Sequence, residues 1–381
     1  MMTGPDLRLT GARVLRPEGW DDCAVTLRRG LIEEGPAREI DLSGYLVLPG
    51  LVDLHGDGFE RHLAPRRGAL REAEPGMVAA AAELAVNGIT TGILAQFFSW
   101  EGGLRSPDFA QRVIDALARV APGVATDLRL QLRLETHMID DYARAEAMIA
   151  AAGIGYVVFN DHVPHVRLAQ GRVPRRLTGT ALKSGRSPEA LLALMQALHA
   201  RSGEVPEAVS ALAARLGSRG ILLGSHDDAD AVARDDWRGR GVRVSEFPET
   251  REAAMAAHRA GDAVVLGAPN VVRGASHAGN VSALDLVAEG LCDALASDYH
   301  YPAMQAAVWR LHDLGVLDVA QGWALISSGP ARVLGLADRG RLEQGCRADL
   351  VVLEAQTRRV AAVFAGGAVS YVTGDVAARF F

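Results

Sequence analysis

The sequence predicts an α/β protein in which a (β/α)8 TIM-type barrel carries a small β-sandwich built from both ends of the chain. Three observations predict this fold class. Eight short apolar segments alternate with helical patterns through the middle of the chain, and both ends consist of short strands. Histidines and carboxylates also cluster where the middle strands end, which is where barrel enzymes carry their chemistry.

The eight middle strands are each followed by helical sequence, such as residues 74–86 and 250–260. A doubly wound sheet is the competing architecture, but its usual Gly-x-Gly-x-x-Gly pattern is absent after the first strand. The predicted strands are 51–54, 90–96, 128–135, 156–160, 221–225, 243–246, 263–267 and 293–297.

Both ends of the chain have strand character, and two β segments that flank an α/β middle are expected to form one small domain. We therefore predict a β-sandwich domain at 1–48 and 340–381 and a barrel domain at 49–339. The terminal strands are predicted at 7–9, 13–15, 24–27, 45–48, 350–353, 360–364 and 369–372.

The composition is that of a globular protein, with 49% hydrophobic and 23% charged residues among 381. A net charge of −6 gives no global positive field that would recruit nucleic acid. Cys23, Cys292 and Cys346 lack CxxC spacing, which is typical of a reduced intracellular protein. No signal peptide or membrane-length apolar run is visible, so we expect a cytoplasmic protein, with a homo-oligomer left open.

Polar residues follow five of the eight predicted strands. Alternate residues of a strand face the same side, so His55 and Asp57 can bind one ion. A lone histidine or aspartate after a strand is more often a turn or cap residue, and Asp227 fits a helix cap equally well. The coincidence of several ligand types at one rim therefore carries the prediction. The five strand ends are His55-Gly-Asp57, Glu135-Thr-His137, Asn160-Asp-His162, Ser225-His226-Asp227-Asp228 and Ser297-Asp298-Tyr-His300. For His137, His165 and His300 we expect ordinary structural roles.

Imidazole and carboxylate ligands suit zinc, with manganese or iron as alternatives, at one or two sites. Such an ion lowers the pKa of bound water and polarises the scissile group. Asp298 is placed to take the proton from the attacking water. The pattern therefore predicts a metal-dependent hydrolase.

A second pattern indicates an anionic substrate. A glycine-containing loop with Arg273 and His277 is predicted after the seventh strand, before a helix start marked by Ser282 and Asp285. Barrels often bind phosphate in the loops after strands 7 and 8, and helix N-termini favour anions. Glu60-Arg61-His62 adds positive charge after the first strand, although each arginine could equally be an ordinary surface charge.

The chain resembles the amidohydrolase superfamily along essentially its whole length. Pro49-Gly-Leu-Val-Asp-Leu-His55-Gly-Asp57 is similar to the strand 1 motif of that superfamily, and residues 345–353 resemble its return into the terminal β-sandwich. Five segments are similar to the phosphonate-metabolism branch. They are residues 53–66, 225–228, 246–250, 297–299 and the specific block Gly267-Ala-Pro-Asn-Val-Val-Arg-Gly-Ala-Ser-His-Ala-Gly-Asn280.

The sequence departs from this branch at four places. Branch members usually have threonine where Gly56 stands and asparagine where Gly58 stands. After Asp161-His162 they usually continue Thr-Pro-Gly-Gln-Arg-Gln, whereas this chain reads Val-Pro-His-Val-Arg-Leu. Pro302 also stands in a loop that differs in the branch. The segment after His162 is expected to contact substrate, so this departure bears on the substrate more than on the metal.

Many amidohydrolases bridge two metals with a carbamylated lysine. Lys183 is the only lysine here and falls in a predicted loop, 179–186, so we reject that arrangement and expect Glu135 to supply the carboxylate. Asp298 is then expected to act both as ligand and as general base. The resemblance implies the metal ligands His55, Asp57, Glu135, His162, His226 and Asp298. It implies the substrate contacts Arg61, His62, Lys183, Asp227, Arg273 and His277.

The resemblance implies hydrolysis of a phosphorylated ribose, in which alpha-D-ribose 1-methylphosphonate 5-triphosphate yields the 5-phosphate and pyrophosphate during phosphonate breakdown. Two alternatives remain at this point. One is hydrolysis of a C–N bond, as in a deacetylase or deaminase, and release of ammonia or carboxylate would identify it. The other is a non-enzymatic metal-binding subunit of a phosphonate-processing assembly, and the presence of Asp298 argues against it.

Overall fold

The computed structural model describes residues 4–64, 72–274 and 281–380. By its contacts the chain divides into two compact units. The first unit comprises Met1–Leu94, Ala116–Arg129 and Ala263–Phe381, and the second comprises Ala95–Asp115 and Leu130–Asp262.

The strands of the described residues are β1 (Leu7–Thr10), β2 (Arg13–Arg16), β3 (Gly19–Asp21), β4 (Val25–Arg28), β5 (Leu31–Ile32), β6 (Arg38–Asp41), β7 (Tyr45–Pro49), β8 (Leu51–Gly56), β9 (Ile89–Phe98), β10 (Asp127–Glu135), β11 (Tyr156–Asn160), β12 (Leu222–His226), β13 (Val244–Glu246), β14 (Ala263–Gly267), β15 (Ala294–Ala296), β16 (Leu350–Glu354), β17 (Val360–Ala365) and β18 (Ala368–Val372).

The helices of the described residues are α1 (Glu60–Leu63), α2 (Ala73–Val86), α3 (Pro107–Val120), α4 (Tyr142–Ala152), α5 (His165–Ala169), α6 (Leu177–Ser184), α7 (Pro188–Ala200), α8 (Val205–Ser218), α9 (Ala231–Gly239), α10 (Arg251–Arg259), α11 (Ala268–Arg273), α12 (Ala283–Ala288), α13 (Ala303–Asp313), α14 (Val319–Ala324), α15 (Ser328–Val333) and α16 (Gly374–Phe380). Short 3₁₀ helices lie at Gly103–Arg105, Ala121–Gly123 and Ile139–Asp141. Within these residues, every helix is too short or too polar to cross a lipid bilayer.

Strands β8 to β15 form one eight-stranded sheet in chain order, and helical sequence follows each strand. In the first unit the last strand returns to the first. The backbone N–H of Asp298 donates to the carbonyl of His55 at 3.0 Å, and the N–H of Asp57 donates to the carbonyl of Asp298 at 2.9 Å. The sheet is therefore nearly closed, and the predicted (β/α)8 barrel is confirmed.

Both chain ends contribute to the β-sandwich of the first unit. A six-stranded sheet has the order β18-β17-β16-β7-β2-β3, so β7 near the start of the chain pairs antiparallel with β16 near its end. A four-stranded sheet has the order β5-β4-β1-β6. Apolar side chains of both sheets share one buried cluster, which includes Leu9, Leu27 and Phe364. The predicted sandwich built from both termini is confirmed.

The predicted barrel strands match the structure closely, and those at 156–160 and 263–267 have the observed bounds. Three short terminal strands, β3, β5 and β6, were not predicted. The predicted loop around Lys183 is wrong, because Lys183 lies exposed in helix α6. The predicted loop at Arg273 is also wrong, because Arg273 is the last residue of α11. The domain boundaries after 48 and before 340 stay a prediction.

Candidate active site

In the first unit, the carboxyl ends of β8 and β15 bring together His55, Asp57 and Asp298. Each offers one ligand atom, and the three atoms lie within 4.8 Å of one another. The His55 side chain is fully buried, whereas the two carboxylates are partly exposed. Asp298 has a φ of +54°, in the left-handed region that aspartate tolerates better than most residues. This backbone turn, held by the hydrogen bonds to His55 and Asp57, sets the position of the Asp298 carboxylate.

The buried carboxylate of Asp53 links β8 to the residue that follows β15. Asp53 accepts hydrogen bonds from the backbone N–H of Ser297 at 3.0 Å and from its hydroxyl at 2.6 Å. Burial raises the pKa of Asp53 above its usual range, although both bonds from Ser297 act in the opposite direction. Ser297 precedes Asp298 in the chain, so the bond fixes the start of the turn that carries Asp298.

The ring of Tyr301 lies across the two glycines that flank Asp57. A β-carbon on Gly56 would stand 2.6 Å from an Asp53 carboxylate oxygen and 2.9 Å from the Tyr301 ring. A β-carbon on Gly58 would stand 3.0 Å from the Arg61 guanidinium and 3.3 Å from the other edge of the same ring. Tyr301 is fully buried. The glycine at position 56, where the resembling branch usually has threonine, therefore accompanies a tyrosine that fills the side-chain space.

Gly56→Ala is expected to lower the free energy of unfolding by about 1–3 kcal/mol, which is typical of overpacking a rigid site. The clash has no easy relief because Ser297 holds Asp53 and the core encloses Tyr301. Gly58→Ala is the matched control, with a smaller expected loss, because its β-carbon would meet the Arg61 guanidinium at 3.0 Å and the Tyr299 carbonyl oxygen at 3.1 Å, both longer than the 2.6 Å contact at Gly56. Urea unfolding of both variants measures the difference. Equal stability of Gly56→Ala and the natural protein would contradict this packing argument.

In the second unit, Glu101, Glu135 and His162 form another group with ligand atoms within 4.8 Å of one another. Glu135 is fully buried at the end of β10. Its carboxylate is hydrogen-bonded to the Nδ1 of His162, to the backbone N–H of His162 at 3.1 Å and to the indole N–H of Trp100 at 3.2 Å. Glu101 lies 3.4 Å from the same His162 nitrogen.

Glu135 and His162 each favour the charged form of the other in the metal-free protein. Burial alone would raise the pKa of Glu135, but the hydrogen bonds and charge of His162 outweigh it, and the pKa lies below its usual value. Burial lowers the pKa of His162, but the hydrogen bond and charge of Glu135 outweigh it, and that pKa lies above its usual value. The pair is therefore preorganised as an imidazole–carboxylate contact.

Strand β10 alternates leucine with polar residues, so its polar side chains share one face. Three of them, Gln131, Arg133 and Glu135, are buried. Gln131 donates to a carboxylate oxygen of Glu246 at 2.7 Å, and Arg133 lies 2.9 Å from the Nε2 of His226. A guanidinium has only donors, so this ring nitrogen accepts from Arg133.

Sequence reasoning missed Glu101, Arg133 and Glu246. The alternation within β10 is the signal that could have found Arg133. Polar residues at every second position of a strand share one face, so Arg133 lies on the same face as Glu135. Glu101 had a weaker signal in the sequence. It lies three residues after the end of β9, so it does not stand directly at a strand end as Glu135 does.

Four of the residues predicted to contact substrate have protein contacts of their own in the structure. Arg61 and His62 both contact the Glu83 carboxylate, and Arg61 also donates to the carbonyl of Tyr299 at 3.0 Å. Arg273 donates to the hydroxyl of Tyr299. Asp227 lies 2.9 Å from the Nδ1 of His226, at a φ of +61°. His277 lies outside the described residues.

The donor sets fit a divalent first-row metal ion. Both groups combine imidazole nitrogen with carboxylate oxygen, the ligand types that zinc, manganese and iron accept. When bound, such an ion would supply Lewis acidity and lower the pKa of a water molecule. The assignment of individual residues as ligands, and of both groups to one metal centre, stays a prediction from the sequence.

The chain is similar to a characterised enzyme. It is 32% identical over 327 residues to the alpha-D-ribose 1-methylphosphonate 5-triphosphate diphosphatase of Escherichia coli, and the match covers 82% of this chain and 84% of that protein. No family model matches the chain.

Solved structures share the fold at low sequence identity. An amidohydrolase superposes with a TM-score of 0.65 at 16% identity, over 97% of this chain and 100% of that one. A beta-aspartyl dipeptidase from Fervidobacterium islandicum gives 0.63 at 14% identity, over 97% and 99% of the two chains. An adenosine deaminase from Xanthomonas campestris, solved with bound zinc, gives 0.54 at 15% identity, over 100% and 97%.

The fold, the two groups of imidazole and carboxylate donors and the extent of the sequence match agree with one another. A relative of this identity over four fifths of the chain identifies the family rather than the fold alone. The chain belongs to the family of alpha-D-ribose 1-methylphosphonate 5-triphosphate diphosphatases, and its fold is shared with an amidohydrolase of known structure.

Proposed function

We propose that this protein hydrolyses the triphosphate of a phosphorylated ribose, with alpha-D-ribose 1-methylphosphonate 5-triphosphate as substrate and the 5-phosphate and pyrophosphate as products. The observation that carries the proposal is the 32% identity to the diphosphatase over 327 residues. We further propose zinc as the metal and the cytoplasm as the location, in a pathway of phosphonate breakdown.

In this proposal the metal is held by His55, Asp57 and Asp298, which lie together in the first unit. Glu135, His162 and His226 are the further proposed ligands. The donor set of imidazoles and carboxylates supports zinc, which favours nitrogen and oxygen ligands of this kind.

Asp298 is the proposed general base. Its carboxylate is partly exposed, and its backbone N–H and carbonyl are hydrogen-bonded to His55 and Asp57. A carboxylate in a fixed position beside the reacting phosphorus can accept the proton of the attacking water. The water oxygen forms a bond to the phosphorus nearest the ribose as its proton passes to Asp298, the bond from that phosphorus to the pyrophosphate oxygen breaks, and pyrophosphate leaves with the negative charge.

Two arginines support an anionic substrate beside this base. Arg61 binds the carbonyl of Tyr299 and Arg273 binds its hydroxyl, so both guanidinium groups lie around the residue that follows Asp298. Positive groups held in place stabilise the charge that develops on transferring phosphates, and this is the largest contribution to such reactions. His62, Lys183, Asp227 and His277 are the further proposed substrate contacts.

Product analysis tests the proposal. The full-length protein, loaded with zinc, is incubated with the ribose 5-triphosphate, and pyrophosphate is measured alongside inorganic phosphate. We expect pyrophosphate and the 5-phosphate in equal amounts, and loss of both after chelation of the metal. An enzyme that leaves the triphosphate intact, but releases ammonia or carboxylate from amino or acylated sugars, would be a C–N hydrolase instead.

A further inference from the structure

Three histidines and an aspartate form a second cluster in the second unit, separate from the groups described above. His137 follows β10, Asp161 follows β11, His165 begins α5 and His199 lies near the end of α7. The rings of His137 and His165 are 4.8 Å apart, and those of His165 and His199 are 5.0 Å apart. From the sequence, His137 and His165 are expected to have ordinary structural roles. Their proximity is visible only in the fold, because they come from separate segments of the chain.

The spacing of three of these side chains is that of metal ligands. Asp161 Oδ1 lies 3.3 Å from His165 Nε2 and 3.5 Å from His137 Nδ1. The three residues each offer one ligand atom within 4.8 Å of the others. Two ligand atoms of a tetrahedral zinc site with bonds of about 2.1 Å are about 3.4 Å apart. Both measured distances therefore fall close to the spacing that an ion imposes.

The opposite nitrogen of each of the two histidines has a partner of its own. His137 Nε2 lies 3.3 Å from the hydroxyl of Ser202, and His165 Nδ1 lies 2.7 Å from His199 Nδ1. Histidines that bind metals almost always use their second nitrogen in such a bond, which fixes the ring orientation and the tautomer. The arrangement thus has both an inner set of ligands and the outer contacts that orient them.

The cluster faces an open cavity of about 480 Å³. Its wall includes His137, Asp161, His165 and His199, together with Trp237 and Arg240. Trp237 is held by stacking on Phe159, at a ring separation of 5.3 Å. An ion bound by three protein ligands keeps a coordination position for a further ligand. Here that position would be reached from the cavity.

We propose that His137, Asp161 and His165 form a second binding site for a divalent first-row metal ion, with His199 and Ser202 orienting the two imidazoles. Two imidazoles and one carboxylate suit zinc, iron or manganese. His165 stands in the segment that departs from the resembling branch, so the site is a property of this chain. The proposal is independent of the substrate proposed above.

Metal content tests this site. The full-length protein is stripped by chelation, dialysed against zinc, and its zinc per chain is determined by mass spectrometry, with cobalt(II) absorption as a second readout. His165→Gln is expected to lose one equivalent of zinc relative to the natural protein. His199→Gln is expected to keep the stoichiometry and to bind that equivalent about 10- to 100-fold more weakly, because an outer contact is lost.

The matched control is His258→Gln, a change of the same kind at an exposed histidine in α10, which should leave zinc binding unaltered. If His165→Gln does not fold, Asp161→Ala replaces it, because that side chain is substantially exposed and alanine offers no ligand atom. Zinc stoichiometry and affinity equal to those of the natural protein in the folded variant would overturn the proposal. The assay reads zinc content alone, so its failure leaves pyrophosphate release to be judged separately.

Discussion

Asp298→Asn is expected to lower the rate of pyrophosphate release by about 100- to 10,000-fold, the range that a general base contributes. Asparagine has nearly the same shape as aspartate but cannot accept the proton of the attacking water. Its amide oxygen can still face an ion, so we expect the zinc content to stay unchanged.

The backbone makes asparagine the informative substitution. Residue 298 has a φ of +54°, and asparagine and aspartate both tolerate this left-handed conformation, whereas most other side chains would add strain. The variant therefore keeps the turn between Ser297 and Tyr299 and removes only the basic oxygen. A loss of activity can then be read as a loss of chemistry.

Steady-state kinetics and zinc analysis of the same preparation measure this effect. Asp313→Asn is the matched control, because Asp313 is exposed at the end of α13 and pairs with Arg358. The control should keep full activity. An Asp298→Asn enzyme with undiminished turnover would refute the assignment of the base.

Arg234→Met is expected to lower the free energy of unfolding by about 3–5 kcal/mol, the usual cost of removing one partner of a buried ion pair. Arg234 is fully buried and lies 3.2 Å from Asp228 and 3.5 Å from Asp262, both of which are also buried. It also donates to the carbonyl of Val242 at 2.6 Å. Asp228 would keep a hydrogen bond from Ser245 but lose its paired cation.

Arg243→Met provides the comparison for this prediction. Arg243 contacts the same Asp262 at 3.4 Å, but its side chain is 57% exposed. Exposed ion pairs contribute little, so the expected loss is below about 1 kcal/mol. Urea unfolding curves of the two variants give the difference, and similar losses would show that burial does not govern the strength of these contacts.

The barrel was predictable because its strands are short, apolar and separated by regular helical sequence. Helix α6 was not. Leu177-Thr-Gly-Thr-Ala-Leu-Lys-Ser184 contains residues with weak helix propensity, and Gly185 then ends the helix at a φ of +73°. Ala181 is buried, so packing stabilises a helix that local propensity does not favour.

The proximity of His55, Asp57 and Asp298 was predictable because all three lie at strand ends. It was not predictable where the partner of a residue lies far away in the chain. Arg133 meets His226 across 93 residues, and His165 meets His199 across 34. An arginine or a histidine can form hydrogen bonds with many residue types, so the partner becomes known only from the folded structure.

The packing of Tyr301 against Gly56 restricts the order in which substitutions at positions 56 and 301 can have occurred during evolution. A threonine at position 56 would place its β-carbon against a ring that fills the same space. An evolutionary path from threonine to glycine must therefore remove the side chain before, or together with, the arrival of the tyrosine. In an alignment of relatives, positions 56 and 301 should consequently vary as a pair, with a large residue at one of them and a small residue at the other.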